Sequence, residues 1–201
     1  MREDHQIRLV ASADELSAAA ARLFVTCAGE AVSSRGRFVV ALAGGSTPEA
    51  MYRRLAEDSA SRDTVAWPQV HVFWGDERHV PPTDEASNYR MADDALLRHV
   101  PIPSGQIHRI EAEGRDAADV AQAYEATLRT ALSATPDDWP IFDLVLLGMG
   151  EDGHTASLFP GSSALSDTSH VVAAPFVEKL QAFRITLTPP VLCHARAVAV
   201  L

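Results

Sequence analysis

The run Leu144-Val-Leu-Leu147 constrains this chain most: it is apolar without alternation, too short for a helix, and broken at once by Gly148-Met-Gly-Glu-Asp-Gly-His154. Short unbroken apolar runs suit strands buried on both faces of a parallel sheet. The glycine loop then starts at a strand's carboxyl end, where open α/β sheets collect their ligands, so Asp152 and His154 are delivered to a site position. Gly148, Gly150 and Gly153 allow a positive φ or a close backbone approach to a ligand. On this segment alone, a glycine turn carrying a surface histidine is the competing reading.

The same order recurs twice upstream. Phe38–Leu42 is a second apolar run, ending in Ala43-Gly-Gly-Ser-Thr-Pro-Glu49. Thr47 as cap and Pro48 at the first helical position predict a helix through Met51, Tyr52 and Leu55. Exposed N–H groups and the positive end of a helix dipole suit phosphate there, although a tight strand-to-helix turn with an ordinary cap explains the same residues. The loop has neither the Gly-Lys-Ser/Thr ending of a nucleotide loop nor a complete dinucleotide fingerprint. Val70–Trp74 predicts a third strand, followed directly by Gly75-Asp-Glu-Arg-His-Val-Pro-Pro82. Arg78 offers a fork of donors for phosphate, and Asp76 or Glu77 an acceptor for a neighbour or for sugar hydroxyls. Taken singly, Glu77 and His79 read as exposed loop charge.

Between these segments, residues 7–10 predict a short strand, and Ser12 with Glu15 forms a capping box for a helix to about residue 32. Asn88 lies in the first turn of a helix reaching Leu97, and residues 107–110 predict another short strand. Residues 116–132 carry Val120, Ala123, Tyr124, Thr127 and Leu128 at helical spacing, read as a core face. Strands at 171–174, 183–187 and 197–201 and a short helix at 189–194 complete the chain. Alternating strands and helices predict a single three-layer α/β/α domain with a largely parallel sheet, its last strand lying inside that sheet.

Charge narrows the ligands. A formal net charge of -10 over 201 residues argues against nucleic acid or an anionic membrane as partner, and a phosphorylated substrate would need local positive charge at its site. Two cysteines, Cys27 and Cys193, make no disulfide framework, and no run reaches the roughly 18 apolar residues of a membrane span. The charged residues 1–5 have no apolar signal core behind them, so the expectation is a cytoplasmic protein, monomeric rather than oligomeric. No ligand spacing for zinc is recognisable among Asp76, His79, Asp152 and His154.

Leu42-Ala-Gly-Gly-Ser-Thr-Pro48, Trp74-Gly-Asp-Glu-Arg-His-Val-Pro81 with Asn88 after it, and Gly148-Met-Gly-Glu-Asp-Gly-His-Thr-Ala-Ser-Leu-Phe-Pro-Gly161 together resemble the 6-phosphogluconolactonases, in order and over nearly the whole chain. The resemblance implies a Rossmann-like sheet shared with glucosamine-6-phosphate deaminase, ribose-5-phosphate isomerase and CoA-transferase-like proteins. It also implies cofactor-free hydrolysis of 6-phosphogluconolactone to 6-phosphogluconate, in the oxidative pentose phosphate pathway. Residue by residue, it implies His154 as acid/base with Asp152 beside it, Arg78 as a substrate-gripping cation, and Gly44, Gly45, Ser46 and Thr47 at the phosphate. Asp76, Asn88, Gly150 and Gly153 complete the implied binding set. A δ-lactone is an activated ester, so water made nucleophilic by an imidazole suffices, with a donor for the tetrahedral oxyanion. Lys179 and Arg184 are further cations that the sequence does not place.

The resembled family continues past the equivalent of Leu201 into a strand, a glycine loop with a lysine, and a helix, so an incomplete C-terminal segment is expected. Cys193-His194 stands where relatives often carry asparagine. Two other functions compete. An amino-sugar phosphate deaminase shares the glycine loops but resembles Ile-Ala-Phe-Asn-Glu-Pro after the histidine, where this chain has Thr155-Ala-Ser-Leu-Phe-Pro160. A non-catalytic sugar-phosphate sensor would not need the Asp152–His154 pair.

Overall fold

A computed structural model describes residues 6–201; the charged start, residues 1–5, lies outside the described residues. Helix α1 spans Ala13–Arg35, and its start is as expected, with the Ser12 hydroxyl accepting from the Glu15 N–H at 3.1 Å. It runs past residue 32 and stops where Gly36 takes a left-handed φ of 74°, returning its N–H to the Val32 carbonyl. The predicted strand at 7–10 is not formed: Ile7 and Leu9 are 91% and 92% exposed, because no neighbour covers them.

The three expected strands become β1 (Phe38–Leu42), β2 (Val70–Trp74) and β4 (Leu144–Leu147), with every residue of β1 and β4 buried. Full burial of each such side chain contributes about 1.5–3 kcal/mol, so these strands anchor the core. Phe24 of α1 meets Phe38 edge-on at 5.2 Å, which fixes that helix over β1. The parallel sheet has the order β2-β1-β4-β8, where β8 is Val198–Val200. From β1 the chain therefore passes to β2 on one side and to β4 on the other, which makes the gap between β1 and β4 the topological switch point. Among the described residues strand β8 pairs only β4, and Val198 and Val200 are half-exposed.

A second sheet, antiparallel, was not anticipated. Strand β3 (Asp76–Arg78) follows β2 after one glycine and pairs β7 (Ala182–Leu187), which also pairs β5 (Val172–Ala173) and β6 (Phe176–Val177). Gly75 joins the two sheets, donating to Leu42 O and accepting from Leu187 N–H, both at 2.9 Å. The predicted strand at 107–110 shrinks to one bridge between Ile107 and Val72.

The remaining helices are α2 (Ser46–Glu57), a short α3 (Ser59–Arg62), α4 (Asn88–Ala95), α5 (Ala117–Leu132) and α6 (Pro189–His194). The Tyr124 hydroxyl of α5 accepts from Trp74 N–H at 2.8 Å and donates to its carbonyl at 3.1 Å, tying α5 to the end of β2. Val120, Tyr124 and Leu128 are core, as their spacing predicts, whereas Thr127 is exposed and Ala123 half-buried. No helix among the described residues is long and apolar enough to cross a membrane.

Candidate active site

The loops after β1 and β4 diverge at the switch point and, with β3 and the β6–β7 hairpin, enclose a cleft of about 390 Å³. Of the residues singled out in the sequence, Gly44, Gly45, Ser46, Thr47, Asp76, Arg78, Asn88, Gly150 and His154 line it. Asp152 and Gly153 do not. Asp152 stands behind His154, and Gly153, at φ 80°, turns the loop and donates its N–H to Gly150 O at 2.9 Å.

Helix α2 presents its N-terminus to the cleft. Thr47 is not its cap: Gly45, at φ 105°, occupies that position, no side chain caps the turn, and the helix starts at Ser46. The first-turn N–H groups of Ser46 and Thr47 therefore face outward with the positive end of the helix dipole, a disposition that suits an anion. Gly44 has no room for a side chain, since a Cβ there would lie 1.9 Å from Asn88 Oδ1.

His154 is held on three sides. Its Nδ1 lies 2.5 Å from Asp152 Oδ1, and the same oxygen accepts the His154 backbone N–H at 3.2 Å. With Nδ1 engaged by the carboxylate, Nε2 is the nitrogen left to exchange a proton. Phe159 stacks on the ring at 4.0 Å between centroids, and Gly150 lies so close that a Cβ would sit 2.1 Å from His154 Cε1. The Asp152 carboxyl is held well below the usual carboxylate range, first by a hydrogen bond from Lys179 and then by His154. Asp152 therefore stays an anion beside the imidazole.

Burial changes the reading of the acids on β3. Asp76 is 9% exposed; its Oδ2 accepts from the Ser157 hydroxyl at 2.6 Å, and its backbone oxygen from the Asn88 amide at 2.9 Å. Burial pushes its carboxyl up, opposed by the Ser157 hydrogen bond and by the charges of Arg78, Arg184 and His154. Asn88, itself buried, is thus a brace between β3 and the Gly44 loop as well as a lining residue.

Glu77 is not loop charge. It is 2% exposed and accepts from the N–H groups of Arg78, Asn88 and Tyr89 at 2.7–2.8 Å and from the Ser87 hydroxyl at 3.1 Å, closing the N-terminus of α4. Glu77→Ala would leave three backbone N–H groups and the Ser87 hydroxyl without this acceptor, so a loss of about 3 kcal/mol in unfolding free energy is expected by urea titration, with Glu77→Gln losing less. His79 bonds Arg115 O at 2.9 Å and does not line the cleft.

Arg78, Lys179 and Arg184 concentrate positive charge in the cleft of this acidic chain. Arg78 and Arg184 are register partners on adjacent strands, and the Arg184 guanidinium is held below its ordinary value by burial and then by Arg78. Like charges placed opposite each other are unfavourable without an anion between them. Ser157, Phe159 and the place of Lys179 were missed in the sequence. Ser157 and Phe159 lie in the histidine segment itself, but only their contacts with β3 and with the ring show what they do.

A histidine–aspartate pair, a helix N-terminus and three cations thus meet in one cleft at the carboxyl edge of a parallel sheet, the place where α/β enzymes carry their sites. The chain belongs to the glucosamine-6-phosphate isomerase/6-phosphogluconolactonase family, whose profile matches residues 11–201. It is 44% identical over 198 residues to the 6-phosphogluconolactonase of Mycobacterium tuberculosis, covering 96% of this chain and 78% of that protein. It is 41% identical to that of Synechocystis, covering 86% and 69%. The solved 6-phosphogluconolactonase of Trypanosoma brucei superposes with a TM-score of 0.85 at 36% identity, over 97% of this chain and 80% of that one. A monomeric glucosamine-6-phosphate deaminase, at 18% identity and a TM-score of 0.79, shares the fold alone.

Proposed function

We propose that this chain hydrolyses 6-phospho-D-glucono-1,5-lactone to 6-phospho-D-gluconate, the lactonase step of the oxidative pentose phosphate pathway. The observation that carries the reading is the His154 imidazole, its Nδ1 bound to Asp152 and its ring packed against Gly150 and Phe159 inside a cationic cleft. Nε2 takes a proton from water as the oxygen attacks C1, and the carbonyl electrons move onto the oxyanion. When the carbonyl re-forms, the C1–ring-oxygen bond breaks and the imidazolium returns its proton to that oxygen. Asp152 stabilises the transient imidazolium. Arg78, Arg184 and the first turn of α2 hold the phosphate, so binding energy is drawn from a part of the substrate remote from the reacting carbon.

Arg78→Ala is expected to lower kcat/KM for the phosphorylated lactone by about 10- to 100-fold, the worth of a charge-assisted hydrogen bond, with little change on unphosphorylated gluconolactone. Steady-state kinetics on both substrates test this. Equal losses on the two would move Arg78 from the phosphate to the reacting carbonyl.

A further inference from the structure

Lys179 sits at the tip of the β6–β7 hairpin, 27 residues from the acid it meets, in the turn Glu178–Leu180. Its ammonium meets two groups that hold His154. Its ammonium donates to Asp152 Oδ2, the oxygen His154 does not use, and lies 4.6 Å from the centre of the Phe159 ring that stacks on the imidazole. The hairpin is itself anchored, because β7 runs on to pair β3 at Asp76, Glu77 and Arg78.

We propose that Lys179 is a positioning residue of the catalytic pair: from the hairpin it fixes the Asp152 carboxylate and the Phe159 ring, and through them the orientation and basicity of His154. The inference rests on the reading of His154 as the base. Among the cleft cations this separates Lys179 from Arg78 and Arg184, whose guanidinium groups contact backbone carbonyls, those of Ala86 and Phe183, and leave their remaining donors to a ligand. The charged groups around His154 are Asp152 on its own loop, Asp76 and Arg78 on β3, Arg184 on β7 and Lys179 on the hairpin. Lys179 is the one that neutralises Asp152 from the other side. Removing it exposes the imidazole to an uncompensated carboxylate, which favours imidazolium. The base is then neutral only at higher pH.

Lys179→Met and Lys179→Arg test this, with Lys179 half-exposed and both variants expected to melt with the parent protein. Lys179→Met should shift the acid limb of kcat/KM against pH upward by roughly half a unit, the size of one unit charge removed at about 6 Å in a solvent-like dielectric. At neutral pH it should lower kcat about 5- to 10-fold, with KM for phosphorylated and unphosphorylated lactone changing alike; Lys179→Arg should restore most of both. A selective rise in KM for the phosphorylated lactone with an unmoved acid limb would overturn the proposal and make Lys179 a phosphate ligand. An unchanged rate and limb would also overturn it. A second readout, the NMR titration of the His154 ring proton, separates this from the assigned reaction. A parent protein inactive on the lactone defeats the lactonase reading, while the upward shift of the His154 titration in Lys179→Met still decides the role of Lys179.

Discussion

His154→Ala is expected to lower turnover of 6-phospho-D-glucono-1,5-lactone by about 10²- to 10⁴-fold, the usual worth of a positioned acid/base. The ring is one-quarter exposed and its bonds are to its own loop, so the melting temperature should barely move. Product affinity should also survive, because Arg78, Arg184 and the start of α2 are untouched. The comparison needs kcat corrected for spontaneous lactone opening and a direct titration with 6-phosphogluconate. A variant turning over at the parent rate would make His154 a bystander and return the loop to a glycine turn with a surface histidine.

Gly150→Ala is the second large effect, and it isolates geometry from chemistry. A Cβ at this position would lie 2.1 Å from His154 Cε1 and 2.2 Å from Nδ1, so the imidazole must leave its place between Gly150 and Phe159. A misplacement of about 1 Å in a catalytic group costs on the order of 10²-fold in rate, and that loss is expected here. The residue lies on the cleft rim rather than in the core, so the fold should tolerate the methyl group. Rate, melting temperature and the His154 titration measured together check it: parent-like turnover would show that the ring needs no such support.

What the sequence revealed follows from where each residue's partners lie. Strands β1 and β4 are legible because all-apolar runs of four or five residues, soon followed by glycine, have few stable arrangements other than an interior parallel strand, and β2 departs from that pattern only at His71. The histidine loop is legible for the same reason, since the strand before it fixes where it emerges. Strand β3 was hidden because Asp76-Glu77-Arg78 is charged throughout. Its burial depends on partners that the local pattern does not show: the start of α4 at Asn88, and far along the chain Ser157 and residues 184–186 of β7. Residues 7–10 mislead in the opposite sense, since their apolar Ile7 and Leu9 stay exposed. Thr47 follows a plausible cap pattern, but Gly45 reaches a φ of 105° and starts the helix earlier. Lys179 could not be placed because its role depends on a hairpin that folds it back over a loop 27 residues upstream.

The measurement that bears most directly on the central claim is the opening of freshly prepared 6-phospho-D-glucono-1,5-lactone, followed against its spontaneous rate, with ammonia release from glucosamine 6-phosphate assayed in parallel. Enzyme-dependent lactone opening that saturates with substrate and disappears in His154→Ala is the expected result. Saturable 6-phosphogluconate binding with no rate above the spontaneous one, or ammonia release faster than lactone hydrolysis, would contradict it.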